Sequence, residues 1–214
     1  MGLATHVGDW DSVEKLTDHL FGHRQVEPQT LEQGWGLGVH PTVRGYPIDQ
    51  VDIPMGRFRI PPNELKAMLP QQLLMLKVAS QALEDVWSQT FQTNTPLVRT
   101  GVFVGIELDL NTTQFHVRWS LLKKAKQWAS QLGLDLSQEQ LETWTQQLRD
   151  AIGPPLSADR TMGALGGIVA SRIARAFKVG GPSFTISNEE NSGLRALEVA
   201  TRALQRGEID NAIV

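Results

Sequence analysis

Seventeen residues constrain the fold more than any other part of the chain: Gly181-Pro182-Ser183-Phe184-Thr185-Ile186-Ser187-Asn188-Glu189-Glu190-Asn191-Ser192-Gly193-Leu194-Arg195-Ala196-Leu197. Side chains alternate around Phe184 and Ile186, the period-two signal of a strand over Ser183 to Ser187. A polar run follows. Leu194, Leu197, Ala200 and Leu204 then recur at helical spacing, so a helix is expected over Glu189 to Arg206 with those residues on one face. Strand, tight turn and helix start in so short a span put the turn at the end of a sheet. A nucleophile on such a turn is exposed, and the adjoining helix N-terminus stabilises negative charge there.

The remaining pattern continues this alternation. Val13, Leu16 and Leu20 predict a short amphipathic helix over Ser12 to Phe21, and the Gly- and Pro-rich stretch from Gly34 to Pro62 reads as irregular. Leu73, Leu76, Leu83 and Val86 give a helix from Gln71 to Trp87 its apolar stripe. Val102-Phe103-Val104, bounded by Gly101 and Gly105, suits a buried strand. The next fifty or so residues are helical in character and hold Trp119, Trp128 and Trp144, with Ser137 and Gln140 as a capping box and Gly153-Pro154-Pro155 as a stop. One helix is expected from Met162 to Phe177, and a strand begins at Ala212-Ile213-Val214. Strands alternating with helices predict an α/β fold with a substantial parallel component.

Composition narrows the function classes. A net charge of -3 argues against a general nucleic-acid binder, which carries a basic patch. The chain has no cysteine, which removes disulfides, Cys-ligated zinc and thiol nucleophiles together. Met1 to Asp11 shows neither the basic start nor the apolar run of a signal peptide, and no apolar stretch reaches the roughly 20 residues that span a bilayer. A cytoplasmic protein, without membrane or nucleic-acid partners, is therefore expected.

The Gly181 to Leu197 segment resembles the active-site motif of β-ketoacyl synthases, where Gly-Pro-Ser-Phe-Thr-hydrophobic leads through a short turn to a cysteine. Aligned without a gap, the cysteine position falls on Glu190. Gly166 to Ile173, including Arg172, resembles the helix preceding that motif. Met68-Leu69-Pro70-Gln71-Gln72-Leu73-Leu74 is similar to the family's Asp-Pro-Gln-Gln-Arg, with Leu69 replacing the Asp and the Arg missing. Val102 to Gly105 matches its Val-Phe-Val-Gly strand. Arg57-Phe58-Arg59-Ile60-Pro61-Pro62-Asn63-Glu64-Leu65 resembles polyunsaturated fatty acid and related lipid synthases.

The resemblance implies a thiolase-like fold of which residues 1–214 supply the N-terminal half, with a helical insertion at about 111–158 and the family's first strand and histidine-bearing second half not included. It also implies a multidomain fatty acid or polyketide synthase as parent and a ketosynthase dimer partner. An acyl carrier protein would bring a phosphopantetheine-linked acyl chain, and no metal or directly bound cofactor is implied. In the family a cysteine thiolate takes the acyl group before condensation. Glu190 would form a readily hydrolysed mixed anhydride, so condensation there is not expected. Three roles stay open: a chain-length-factor-like partner, a malonyl decarboxylase, and a degenerate structural domain in which Ser187 and Glu190 form a capping box. Ser187, Asn188, Glu189, Asn191 and Ser192 are the expected elbow and pocket residues around Glu190.

Weaker signals carry blander readings. His19 and His23 have metal-ligand spacing but lack an accompanying glutamate. Gly34, Gly36 and Gly38 have no feeding strand, so a loop is expected rather than a phosphate cradle. Arg118, Lys123, Lys124 and Lys126 could dock an acidic carrier, although a solvated helix face is the simpler expectation. The three tryptophans are expected as core or interface anchors.

Overall fold

The computed structural model describes residues 1–22, 26–30, 44–48, 50–90, 97–107, 113–153, 155 and 157–214. Among them, helices α1 (Val13–Phe21), α2 (Pro62–Ala67), α3 (Pro70–Thr90), α4 (Thr113–Gln131), α5 (Gln138–Ile152), α6 (Ala158–Ala164), α7 (Val169–Phe177) and α8 (Ser192–Gln205) accompany five strands. Strands β1 (Gln29–Thr30) and β2 (Arg44–Gly45) form a small antiparallel pair. The others, β3 (Thr100–Gly105), β4 (Ser183–Ile186) and β5 (Asn211–Ile213), form a parallel sheet in the order β4-β3-β5. Val102 pairs with Ser183 and Gly105 with Ile186 on one side of β3, and Thr100 pairs with Asn211 on the other.

Strand β3 is central and apolar on both faces because helices cover both. Val102 and Val104 point into a core with Phe58, Met68, Leu76, Ala79, Val169, Ala170 and Ile173, drawn largely from α3 and α7. Phe103, one residue out of phase, joins Ala196, Ala200, Ala203 and Ile209 on the α8 side. Full burial of a side chain such as Leu76 contributes about 1.5–3 kcal/mol. This period-two division explains why the strand reads as a continuous apolar run. The α/β expectation holds.

Helix boundaries differ from the sequence reading in instructive ways. The expected helix from Met162 to Phe177 is broken into α6, a 3₁₀ turn at Gly166–Ile168, and α7. Two consecutive glycines, each about 1 kcal/mol worse than alanine in a helix, favour the break. Gln72, buried at the start of α3, donates to the freed carbonyl of Leu165 at 3.1 Å and more weakly to that of Met162 at 3.5 Å. The Pro61-Pro62 step, read as the end of an irregular stretch, instead opens α2, since proline is tolerated in a first helical turn. Ser12 is the N-cap of α1, accepting from the Lys15 amide.

Helices α4 and α5 pack on each other through Leu121, Ala125, Ala129, Leu141 and Thr145. The expected Ser137–Gln140 capping box forms, with bonds of 3.2 and 2.8 Å. Arg118 donates to the carbonyls of Arg149 and Gly153, so it closes the C-terminal end of α5 and leaves the expected basic cluster to Lys123, Lys124 and Lys126. Trp119, 80% exposed, and Trp128, also exposed, are no core anchors, while Trp144 is half-buried. No helix among the described residues is long and apolar enough to cross a membrane.

Candidate functional site

The elbow lies where β4 ends and α8 begins. Ile186 closes the strand, its carbonyl accepting from the Ile106 amide at 3.0 Å. Ser187, Asn188, Glu189, Glu190 and Asn191 are exposed, whereas Ser192 is buried. The Ser192 hydroxyl accepts from the Asn188 amide at 2.8 Å and donates to the Glu189 carbonyl at 2.6 Å. Two backbone bonds tighten the same turn: the Asn191 amide to the Asn188 carbonyl and the Ser192 amide to the Glu189 carbonyl, both 3.1 Å. Glu189 takes the left-handed conformation, at φ 51°, which a non-glycine residue adopts at a cost. The six expected site residues, consecutive in the chain, thus run through one turn, with Glu190 presented at its surface.

The capping box expected between Ser187 and Glu190 does not form. Helix α8 begins at Ser192, its N-cap is Asn191, and no side chain caps it. Residues Asn188 to Asn191 make the tight turn instead, so Glu190 lies before the helix and cannot reach back as a third helical residue would. Ser192 holds the turn from inside the first helical turn. Glu190 is therefore free of the structural duty that the sequence spacing suggested.

Close backbone approach sets the position of the elbow. A Cβ on Gly105, at the end of β3, would lie 2.5 Å from the Gly193 nitrogen and 2.5 Å from the Ser192 carbonyl carbon. Only a glycine there lets the first turn of α8 sit directly against the central strand. The buried face of α8 is likewise small: Ser192, Ala196, Ala200 and Ala203. Of the residues expected on one face, Ala200 belongs to this buried side. Leu194, Leu197 and Leu204 share a face but stay exposed, because the alanine face admits a closer helix–sheet contact.

The local charges are distributed beside the turn. Arg195, one helical turn into α8, bonds Glu198, and that hydrogen bond holds the Glu198 carboxyl below its usual range. Arg195 is thus engaged away from Glu190. Elsewhere, His19 stacks on Trp10 with ring centroids 3.8 Å apart. His23, His40 and the Gly34–Gly38 loop lie outside the described residues. Among the described residues no group of three or more His, Asp or Glu side chains could hold a metal ion.

A parallel strand that turns through a side-chain-stitched elbow into the helix packed on its own sheet is the N-terminal half of a thiolase-like fold. The chain belongs to the β-ketoacyl synthase family: residues 29–214 match the family described as beta-ketoacyl synthase, N-terminal domain. It is 28% identical over 177 residues to one of the subunits of a polyunsaturated fatty acid synthase of Thraustochytrium sp., a match that covers 83% of this chain and 8% of that protein. A highly reducing polyketide synthase of Gibberella zeae is 31% identical over 157 residues, covering 73% of this chain and 5% of the synthase. Among solved structures, the PfaC keto synthase–chain length factor superposes with a TM-score of 0.79 at 26% identity, over 95% of this chain and 22% of that one. The ishigamide ketosynthase/chain length factor superposes at 0.60 with 18% identity, over 97% and 49%, a likeness of fold. The chain thus spans a small part of the synthases it matches.

Proposed function

We propose that this chain is the N-terminal half of a non-condensing, chain-length-factor-like domain that pairs with an active ketosynthase in a fatty acid or polyketide synthase. The reading is carried by Glu190, which the gapless match to the family's motif implies at the nucleophile position, and which is exposed on the elbow without a capping role. A thioester link to a growing chain needs a sulfur nucleophile, and an acyl carboxylate anhydride would hydrolyse before condensation. The likeness to a keto synthase–chain length factor structure supports the pairing, as does the unpartnered leucine face of α8 beside the elbow.

In this reading Glu190 and its neighbours Ser187, Asn188, Glu189, Asn191 and Ser192 shape the end of a pocket rather than carry the chain. The acyl group stays on the phosphopantetheine arm of a carrier protein or on the partner's cysteine. The helices over about 111–158 are an insertion into the family fold. No metal takes part.

Co-expression with the ketosynthase of the same synthase tests the proposal. A stable stoichiometric pair is expected, together with an altered product-length distribution for Glu190→Ala and unchanged chain initiation. Failure to associate overturns the pairing. Carbon dioxide release from malonyl carrier protein by the protein alone, abolished in Glu190→Ala, would assign decarboxylation instead. Unchanged products for Glu190→Ala would assign a structural domain.

A further inference from the structure

Away from the elbow, the segment before α2 and the C-terminal half of α7 enclose a cavity of about 640 Å³. Helix α7 leads into the start of β4, whereas the elbow leaves its other end, so the two sites lie at opposite ends of that strand. Five cations line the cavity, Arg57, Arg59, Arg172, Arg175 and Lys178, against a single carboxylate, Glu64. In a chain of net charge -3 this is a local concentration of positive charge.

The innermost cation is incompletely partnered. Arg172 is 9% exposed, and its Nη1 donates to Glu64 Oε1 at 2.5 Å. Its Nε and Nη2 are buried without any partner. A buried guanidinium with unmet donors is costly, and these two nitrogens, closed to solvent, gain an oxyanion's acceptors only when the Arg172 side chain shifts toward the cavity. Arg57 is held in place by the Ser80 hydroxyl, at 2.8 and 3.2 Å, and by Glu84. Arg59, Arg175 and Lys178 are exposed and form no ion pair among the described residues. The dipole of α7 favours cations at its C-terminus, which accounts for Arg175 and Lys178. It does not account for Arg57 and Arg59, which reach the same space from another segment.

We propose that this cavity binds a phosphate-bearing small molecule. Arginine forks match the several oxygens of a phosphate, and with Arg172 paired to Glu64 and Arg57 to Glu84, the charges of Arg59, Arg175 and Lys178 remain for a ligand to neutralise. The volume is that of a small-molecule site.

Isothermal titration calorimetry on the full-length protein tests this, with inorganic phosphate and pyrophosphate as probes and acetate and polyglutamate as comparators. Saturable binding of either phosphate probe, at least tenfold tighter than acetate, is expected. Tighter binding of pyrophosphate assigns a phosphoanhydride ligand, and equal binding assigns a single phosphate group. Arg175→Ala and Lys178→Asn should each weaken binding about tenfold while leaving the circular dichroism spectrum unchanged. Asparagine is chosen because Lys178 has φ 54°, which asparagine tolerates. These variants avoid the Arg172–Glu64 pair, whose loss could unfold the region. No binding, acetate bound as well as phosphate, binding indifferent to both variants, or binding of polyglutamate alone would each overturn the proposal.

Discussion

Replacing Gly105 by alanine adds one methyl group at the point where the sheet touches the elbow. Its Cβ would lie 2.5 Å from the Gly193 nitrogen, 2.5 Å from the Ser192 carbonyl carbon and 2.7 Å from the Gly193 Cα, where ordinary contact is 3.4–4 Å. The obstructing atoms are backbone, so no side-chain rotation relieves the clash. The start of α8 must retreat by roughly 1 Å, which loosens the Ala196 and Ala200 contacts with Phe103 and stretches the two Ser192 hydroxyl bonds. Overpacking of this kind costs about 1–3 kcal/mol. Weakening the Ser192 bonds adds about 1 kcal/mol. Together they give about 2–4 kcal/mol, or a fall in Tm of about 5–15 °C for a chain of this size. Thermal denaturation followed by far-ultraviolet circular dichroism reads the shift. Gly166→Ala is the control, because a Cβ there meets nothing within 4 Å, and it should melt within about 2 °C of the parent. Were Gly105→Ala to melt as Gly166→Ala does, close approach of α8 to β3 would not be what positions the elbow.

Two further perturbations probe separate parts of the molecule. Ser192→Ala removes both hydroxyl bonds of the turn, and we expect a loss of about 1–2 kcal/mol in urea denaturation together with faster hydrogen exchange at the Asn188 amide. Unchanged exchange there would show that the backbone bonds hold the turn alone. Burial, with the Lys77 charge adding to it, holds His6 below its ordinary value of 6.5. The unfolded chain therefore takes up the proton first. The His6 contribution is at its full value above pH 6.5 and is lost as pH falls from there through the folded value. His6→Gln should flatten the decline in Tm measured between about pH 7.5 and about pH 5.5, and an unaltered decline would assign it to other groups.

Much of this protein is legible in its sequence. Period-two alternation around Phe184, the apolar run Val102 to Val104 and the helical stripes specify an α/β fold, because backbone geometry ties each period to one element. The Gly-Pro-Ser-Phe-Thr motif marks the β4–α8 elbow, and the six candidate residues, consecutive from Ser187 to Ser192, run through that turn. Ser137 and Gln140 cap α5 as their spacing requires, since a capping box involves only neighbours in sequence. What the tertiary structure decided involves residues distant along the chain. Ser187 and Glu190 have the spacing of a capping box, but the turn before α8 consumes the residues that would have formed it. The leucines of α8 share a face as their spacing requires, but which face is buried is set by Gly105 and an alanine stripe, which let β3 approach the other side more closely. Arg118 reads as part of a basic patch, and only the packing of α4 on α5 brings it to the open carbonyls of Arg149 and Gly153. Local rules act through the chain and can be read from it. The choice between two helix faces depends on how near another strand can come, and folding alone sets that distance.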